Sequence, residues 1–221
     1  MTAVGFRVKS GYAIAVVLDG SRAAPRAVAR RIVELSDPDV AETRQPYHDG
    51  FYKTEEDARE IARRVTIVKR CAKRSIAALV SQMEREASAE PRRPASAKAT
   101  AVRRSFSEGR SSPEKNGERR RAALVVGSLI DPDRVGNPHI RAHAHEGRLF
   151  RTVLQDALRA HRVECDVILE KQLSAHASKM LGRPPSAIAR TITALGKTMA
   201  GPWRAEEKSA ATAAWLALTR E

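Results

Sequence analysis

The chain has 221 residues, of which 42% are hydrophobic and 4% aromatic, and its formal net charge is +14 at pH 7. This length predicts one domain with a packed core, and the scarcity of aromatic residues argues against an extended base-stacking surface. The charge favours polyanionic partners, with nucleic acid first and an anionic membrane surface second, although an Arg- and Ala-rich coding background would give the same charge.

Cysteine usage and hydropathy indicate the compartment. Cys71 and Cys165 stand alone, without metal-ligand spacing, which predicts reduced thiols rather than a disulfide or a zinc site. The chain does not open with a secretory signal pattern, and the apolar run at residues 12–18 is too short to cross a bilayer. We therefore expect a cytoplasmic protein with no membrane partner.

The first half of the chain predicts three strands. Apolar runs at residues 4–8 and 12–19 flank Lys9-Ser10-Gly11, and a short joint containing glycine is a hairpin signal. Residues 27–35 alternate apolar and basic side chains, which favours a third strand, with a helix as the alternative.

A long helix is predicted next. Thr54 followed by Asp57 resembles a capped helix start, and apolar residues recur every three or four positions behind it. We expect one amphipathic helix over residues 55–85, with its Arg and Lys residues on a solvated face.

Residues 88–120 differ in composition from the rest. Pro, Ser, Ala and Arg dominate, and nine basic residues stand against four acidic ones. Because few apolar residues are available to offset the ordering entropy, we expect a disordered basic insertion. It suits a phosphate-binding arm, with an unselected solvated segment or a segment that folds on a protein partner as alternatives.

The chain therefore divides into residues 1–87 and 121–221, two parts of one domain on either side of the insertion. Residues 121–171 predict a strand–helix–strand unit, in which the strands run parallel. Ligands of such sheets lie beyond the carboxyl ends of the strands. Three further helices are predicted. The first and third cover residues 173–181 and 205–219, and the second has Ile188, Ile192, Leu195 and Met199 on one face and stops at Gly201-Pro202.

This order of elements resembles the ribonuclease H-like superfamily, and within it the Holliday-junction resolvases. The opening GFRVKSGYAIAVVL and the Ala-rich AEEKSAATAAW carry the local similarity. The resemblance implies an α/β fold with a mixed five-stranded sheet, flanking helices and a nucleic-acid partner. It also implies two divalent metals, Mg²⁺ or Mn²⁺, held by about four carboxylates.

The carboxylates expected from the family are largely replaced. Arg7 stands where the family has an aspartate in its first strand, and Gly127-Ser128 stand near the end of the fourth. On the last helix Glu206 matches one aspartate of the family, but Ser209 matches the other. An arginine puts a cation where the metals would lie, which argues against standard two-metal cleavage.

The stretch NPHIRAHAHE is the densest polar cluster. We expect Asn137 and Pro138 to begin a helix on which His139, His143 and Glu146 share one face. Such a triplet suits a transition metal or a general base, with capping and hydrogen bonding of the loop as the alternative.

Three functional hypotheses follow. The first is a catalytically altered domain that binds nucleic acid. The second is a metal-dependent nuclease with a relocated site, in which Glu146, Glu170 and Glu206 are catalytic and bind metal, with His139 and His143 as further ligands. The third is a non-enzymatic scaffold for protein interaction. The residues expected to contact nucleic acid are Arg7, Arg92, Arg93, Arg103, Arg104, Arg119, Arg120, Arg141 and Lys171.

Overall fold

A computed structural model describes residues 1–50, 53–89 and 120–219 of the chain. Within these ranges five strands form one mixed sheet, and five α-helices flank it. The strands are β1 (Thr2–Lys9), β2 (Tyr12–Gly20), β3 (Pro25–Glu34), β4 (Arg121–Val126) and β5 (Glu164–Leu169). The helices are α1 (Ala58–Ala89), α2 (Pro138–Ala160), α3 (Leu173–Leu181), α4 (Pro185–Gly196) and α5 (Ala205–Ala217). Of the disordered insertion predicted at residues 88–120, residues 88 and 89 instead belong to α1, and residues 90–119 lie outside the described ranges.

The strand order is β3-β2-β1-β4-β5. Strand β2 runs antiparallel to both β1 and β3, whereas β1, β4 and β5 run parallel. The antiparallel triplet and the strand–helix–strand unit thus join through the pairing of β1 with β4. The predicted mixed five-stranded sheet with flanking helices is confirmed.

The predicted hairpin turn at Gly11 and the predicted third strand are also confirmed. Gly11 adopts a φ of 82°, a left-handed conformation that glycine reaches without a steric penalty. Its carbonyl accepts hydrogen bonds from the backbone N–H groups of Leu35 and Ser36, both at 2.9 Å. These bonds fix the end of β3 beside the turn, so the alternating segment forms a strand and not a helix.

The sheet has a core on each face because successive side chains of a strand point to opposite sides. On β1, Val4, Phe6 and Val8 pack in the cluster that contains α1 and α2. Ala3 belongs to the opposite cluster, which contains α3, α4 and α5. By the same alternation, Arg7 faces the second side.

Helix α5 lies directly against β1. A Cβ added at Gly5 would lie 1.9 Å from the carbonyl oxygen of Ala210 and 2.3 Å from the amide nitrogen of Ala214. Small residues on both elements therefore permit backbone-to-backbone contact. Trp215 on the same helix is fully buried, and its Nε1–H donates to the carbonyl of Arg22 at 3.0 Å.

Several predicted helix ends are wrong: α1 ends at Ala89 rather than at residue 85, and α5 ends at Ala217 rather than at residue 219. Helix α1 begins at Ala58, because Thr54 pairs with His48 in an isolated β-bridge and Asp57 acts as the cap, accepting from the backbone N–H of Arg59 at 2.8 Å. Helix α4 ends at Gly196, before the predicted stop at Gly201-Pro202. No helix of the described ranges has a long enough apolar stretch to cross a membrane.

We expect Gly5→Ala to destabilise the protein by more than about 3 kcal/mol, because the added methyl group would force α5 away from β1. The measurement is the free energy of unfolding in urea. Gly147→Ala in α2 is the matched control: a Cβ there meets nothing within 4 Å, so we expect a gain of about 0.5–1 kcal/mol from helix propensity. Equal stability of Gly5→Ala and the wild type would contradict the close packing.

The start of α5 contains a buried carboxylate. Oε1 of Glu207 accepts from Nε and Nη2 of Arg30 at 3.0 and 2.7 Å, and Oε2 accepts from the backbone N–H of Arg204 at 2.8 Å. Burial raises the pKa of Glu207, but the hydrogen bonds from Arg30 and Arg204 outweigh it, so this pKa lies below its ordinary value.

A lowered pKa means that ionised Glu207 stabilises the fold at neutral pH, and that this contribution is lost as the pH falls below about 4.5. We expect Glu207→Gln to be less stable than the wild type at pH 7 and to lose less stability between pH 5 and pH 3. Urea midpoints measured across this range test the expectation, and parallel pH profiles of the two proteins would refute it.

Candidate functional site

The carboxyl ends of β1, β4 and β5 meet at one edge of the sheet, where Arg7 lies. Its side chain is 8% exposed. The guanidinium donates to Oε2 of Glu170 at 2.5 Å and to the backbone carbonyls of Val8 at 3.1 Å and Val125 at 3.4 Å. Because Arg7 and Val125 are register partners on parallel strands, the sheet itself fixes the arginine at this edge.

The two α5 positions that match family aspartates are both engaged. Glu206 accepts from Nζ of Lys9 at 3.1 Å, which ties α5 to the end of β1. The hydroxyl of Ser209 donates to the carbonyl of Ala205 at 2.9 Å, within its own helix. The edge therefore carries two cation–carboxylate pairs, Arg7–Glu170 and Lys9–Glu206.

A cavity of about 310 Å³ opens beside these pairs, between α3, α4 and α5. Apolar residues such as Ile188 and Ile192 supply part of its lining, and the polar part consists of Glu170, Ser174, Thr193, Lys208, Ser209 and Thr212. The cavity thus adds one cation, Lys208, and several hydroxyl groups to the edge, and its lining has no carboxylate beyond Glu170.

Glu146, the third predicted carboxylate, lies with a different set of residues. Within the described ranges, one group of three or more His, Cys, Asp or Glu residues has the geometry to hold a metal ion, and it consists of His48, His139 and His143. The structure thus brings Glu146, His139 and His143 together, as their spacing predicted, but it does not group them with Glu170 or Glu206.

His48 enters this cluster from the loop before α1. Its ring centroid lies 5.1 Å from that of His139 and 4.5 Å from that of His143, and the latter two are 4.6 Å apart. Nδ1 of His48 is 2.7 Å from Oε1 of Glu146, and Nδ1 of His143 is 3.4 Å from Oε2. One carboxylate thus contacts two of the three imidazoles.

Burial governs the electrostatics of the cluster. Glu146 is 1% exposed, and its burial raises its pKa to about 7 despite the opposing effect of His143. Burial lowers the pKa of His48, which favours the neutral imidazole. A neutral imidazole is the form that binds metals and exchanges protons near neutral pH.

Arg64 of α1 holds the loop that carries His48. The arginine is buried and donates to the carbonyl of His48 at 2.8 Å and to Oε2 of Glu55 at 2.6 Å. The backbone N–H of Glu55 in turn donates to the carbonyl of Tyr47 at 3.0 Å, and the ring of Tyr47 stacks on His145 at 4.8 Å. These contacts give His48 a fixed position against α2.

Sequence reasoning missed His48. It lies 98 positions before Glu146, in a loop whose residues carry no recognised ligand spacing, so only the packing of α1 against α2 brings it to the cluster.

The residues expected to contact nucleic acid are scattered. Arg141 and Lys171 are exposed, Arg7 is buried in its pair with Glu170, and Arg120 donates to Oε1 of Glu84 at 2.7 Å. The other five lie outside the described ranges: Arg92, Arg93, Arg103, Arg104 and Arg119.

Comparison with known proteins gives structural similarity alone. No family model matches the chain, and no curated protein matches it. The fold is similar to that of Thermus thermophilus RuvC. A structure of RuvC in complex with a Holliday junction substrate has a TM-score of 0.45 at 12% identity, covering 98% of this chain and 91% of the other. A second RuvC structure has a TM-score of 0.46 at 11% identity, covering 98% and 92%. At these scores the similarity carries no argument, and the description of the fold rests on the strand order and directions.

We expect Glu170→Gln to destabilise the protein by about 1–2 kcal/mol, because it leaves the buried guanidinium of Arg7 without its anionic partner. The loss is smaller than for a fully buried pair, since the side chain of Glu170 is 49% exposed. Asp156→Asn breaks the exposed pair with Arg159 and is the control, with an expected loss below about 0.5 kcal/mol. Equal losses in the two variants, measured by urea unfolding, would contradict a structural role for the Arg7–Glu170 pair.

Proposed function

We propose that the protein binds nucleic acid without strong sequence preference, through the exposed basic face of α1, and that it does not cleave by the two-metal mechanism. The observation that carries the proposal is the charge of the first half of α1. Six exposed basic residues stand there against a single acid, Glu60; they are Arg59, Arg63, Lys69, Arg70, Lys73 and Arg74.

These residues span about 22 Å of helix axis, at 1.5 Å per residue. That length matches about six successive phosphates of one DNA strand. Arg63 contacts Glu60 at 2.9 Å and Arg70 lies 3.8 Å from Asp37, so the surrounding acids neutralise only part of the charge. A cationic surface of this kind binds phosphates by releasing condensed counterions.

The carboxyl edge of the sheet supports the second half of the proposal. Two metals in a nuclease site need several oxygen ligands that converge on them. At this edge Glu170 is bound to Arg7 and Glu206 to Lys9, and Glu146 lies with the histidine cluster. Each of these two carboxylates at the edge is thus paired with a cation, which opposes its use as a metal ligand, so we expect no two-metal cleavage there.

Exposed residues elsewhere extend the proposed contact area. Arg141 near the start of α2 and Lys171 just after β5 are both exposed. We further propose that the basic residues of the insertion act as an additional phosphate-binding arm. A four-way junction belongs among the test ligands because of the resolvase-type resemblance, together with duplex and single-stranded DNA and RNA.

We expect the affinity for duplex DNA to fall steeply as the salt concentration rises, with a slope of log K against log salt of about −0.9 for each phosphate neutralised. Lys69→Glu/Lys73→Glu, on the basic face of α1, should weaken binding by more than tenfold and reduce the slope by about 2. Fluorescence anisotropy titrations at several salt concentrations measure both quantities.

The matched control is Arg190→Glu/Lys197→Glu, which makes the same change in net charge at exposed positions on α4 and just after it. We expect a smaller loss of affinity in this variant. No binding by the wild type at low salt would refute the proposal. Equal weakening in the two double variants would refute the assignment to α1.

A further inference from the structure

Three histidine rings meet where the loop before α1 packs on the first turns of α2. One ligand nitrogen from each of His48, His139 and His143 lies within 4.8 Å of the other two. We propose that these three side chains form a binding site for one divalent transition-metal ion, with Zn²⁺ as the ion that suits the ligands. The site does not depend on the proposed binding of nucleic acid.

His48 is already oriented as a metal ligand. The residue is 5% exposed, and its Nδ1 lies 2.7 Å from Oε1 of Glu146. A proton on Nδ1 is donated to this carboxylate and leaves the lone pair on Nε2. Within the described ranges Nε2 is buried and has no hydrogen-bond partner. Buried polar atoms are normally satisfied, and a metal bond would satisfy this one.

The contact between Glu146 and His48 is the arrangement that zinc sites use. Metal-binding histidines almost always donate their other ring N–H to a carboxylate or carbonyl, which fixes the tautomer and increases the basicity of the ligand. Glu146 is therefore a positioning residue in this proposal rather than a ligand. Arg64 and Glu55 fix the loop on the other side of His48.

The other two ligands come from one face of α2. His139 and His143 are one turn apart, and Asn137 caps the helix by accepting from the backbone N–H of Ile140 at 3.1 Å. Nitrogens bound to a tetrahedral zinc at 2.0–2.1 Å lie about 3.3 Å from each other. From mutual distances of up to 4.8 Å, each nitrogen has to move inward by less than about 1 Å, which small rotations of the rings achieve.

The ligand chemistry selects the class of ion. Three imidazoles suit Zn²⁺ and similar ions, whereas Mg²⁺ and Mn²⁺ prefer oxygen ligands. The side chain of His143 is 47% exposed, so the cluster is open to solvent and an ion can enter. Three protein ligands leave a fourth tetrahedral position for water, as in catalytic zinc sites.

The test is a titration of the full-length chain, freed of metal with a chelator, with Co²⁺ followed by Zn²⁺. We expect one equivalent of Co²⁺ to give the visible absorption of a tetrahedral ion, and Zn²⁺ but not Mg²⁺ to abolish it. Because the metal binds only the folded chain, Zn²⁺ should also raise the midpoint of thermal unfolding.

Variants assign the ligands. His143→Ala changes a half-exposed side chain, so we expect the variant to fold. It should bind Co²⁺ more than about 100-fold more weakly, because loss of a ligand costs at least as much affinity as loss of a residue that positions a ligand. His139→Ala is an independent second test with the same expected loss. Glu146→Gln keeps the shape of the side chain and should weaken binding by about 10–100-fold.

His161→Ala, at the exposed end of α2, is the matched histidine control and should bind Co²⁺ as the wild type does. The proposal is overturned if the folded wild type shows no cobalt absorption at millimolar Co²⁺. It is equally overturned if His143→Ala and His139→Ala bind with wild-type affinity, or if His161→Ala loses binding to the same extent as they do.

Discussion

The architecture depends on how closely α5 lies against β1. At Gly5 no side chain separates the strand from the backbone of Ala210 and Ala214, so the helix covers the middle of the sheet directly. Strand β1 is also the strand through which the antiparallel triplet and the parallel unit are joined, by pairing with β2 on one side and β4 on the other. Packing on this one strand therefore holds together elements from both ends of the chain.

The same strand determines the chemistry of the carboxyl edge. Alternation along β1 turns Phe6 toward α1 and α2 and turns Arg7 toward α5, where Glu170 meets it. Arg7 donates to two backbone carbonyls and one carboxylate. Its removal would leave the carbonyls of Val8 and Val125 without these hydrogen bonds, which costs stability. The positive charge of Arg7 is thus part of the folded structure.

Local signals in the sequence were sufficient for the elements that depend on local chemistry. Gly11 closes the hairpin, and Asn137 with Pro138 starts α2, because in each case one residue type meets one backbone requirement. Thr54 does not begin α1, because it pairs with His48 in a β-bridge of the loop that precedes the helix. His48 itself was not predicted, because Glu146, the partner that gives it a role, lies 98 positions away on α2.

Helix α1 connects the two proposed sites. Arg63 and Arg64 are neighbours in the sequence, but the helix turns them by about 100° relative to each other. Arg63 therefore reaches solvent on the basic face, whereas Arg64 is buried and holds the carbonyl of His48. Both residues are arginines, and only the packing of the helix distinguishes them. In the proposed sites, Arg63 is available to phosphates and Arg64 positions the metal ligand His48. Because Arg64 holds from α1 the loop that meets α2, a shift of α1 against α2 would disturb the histidine cluster.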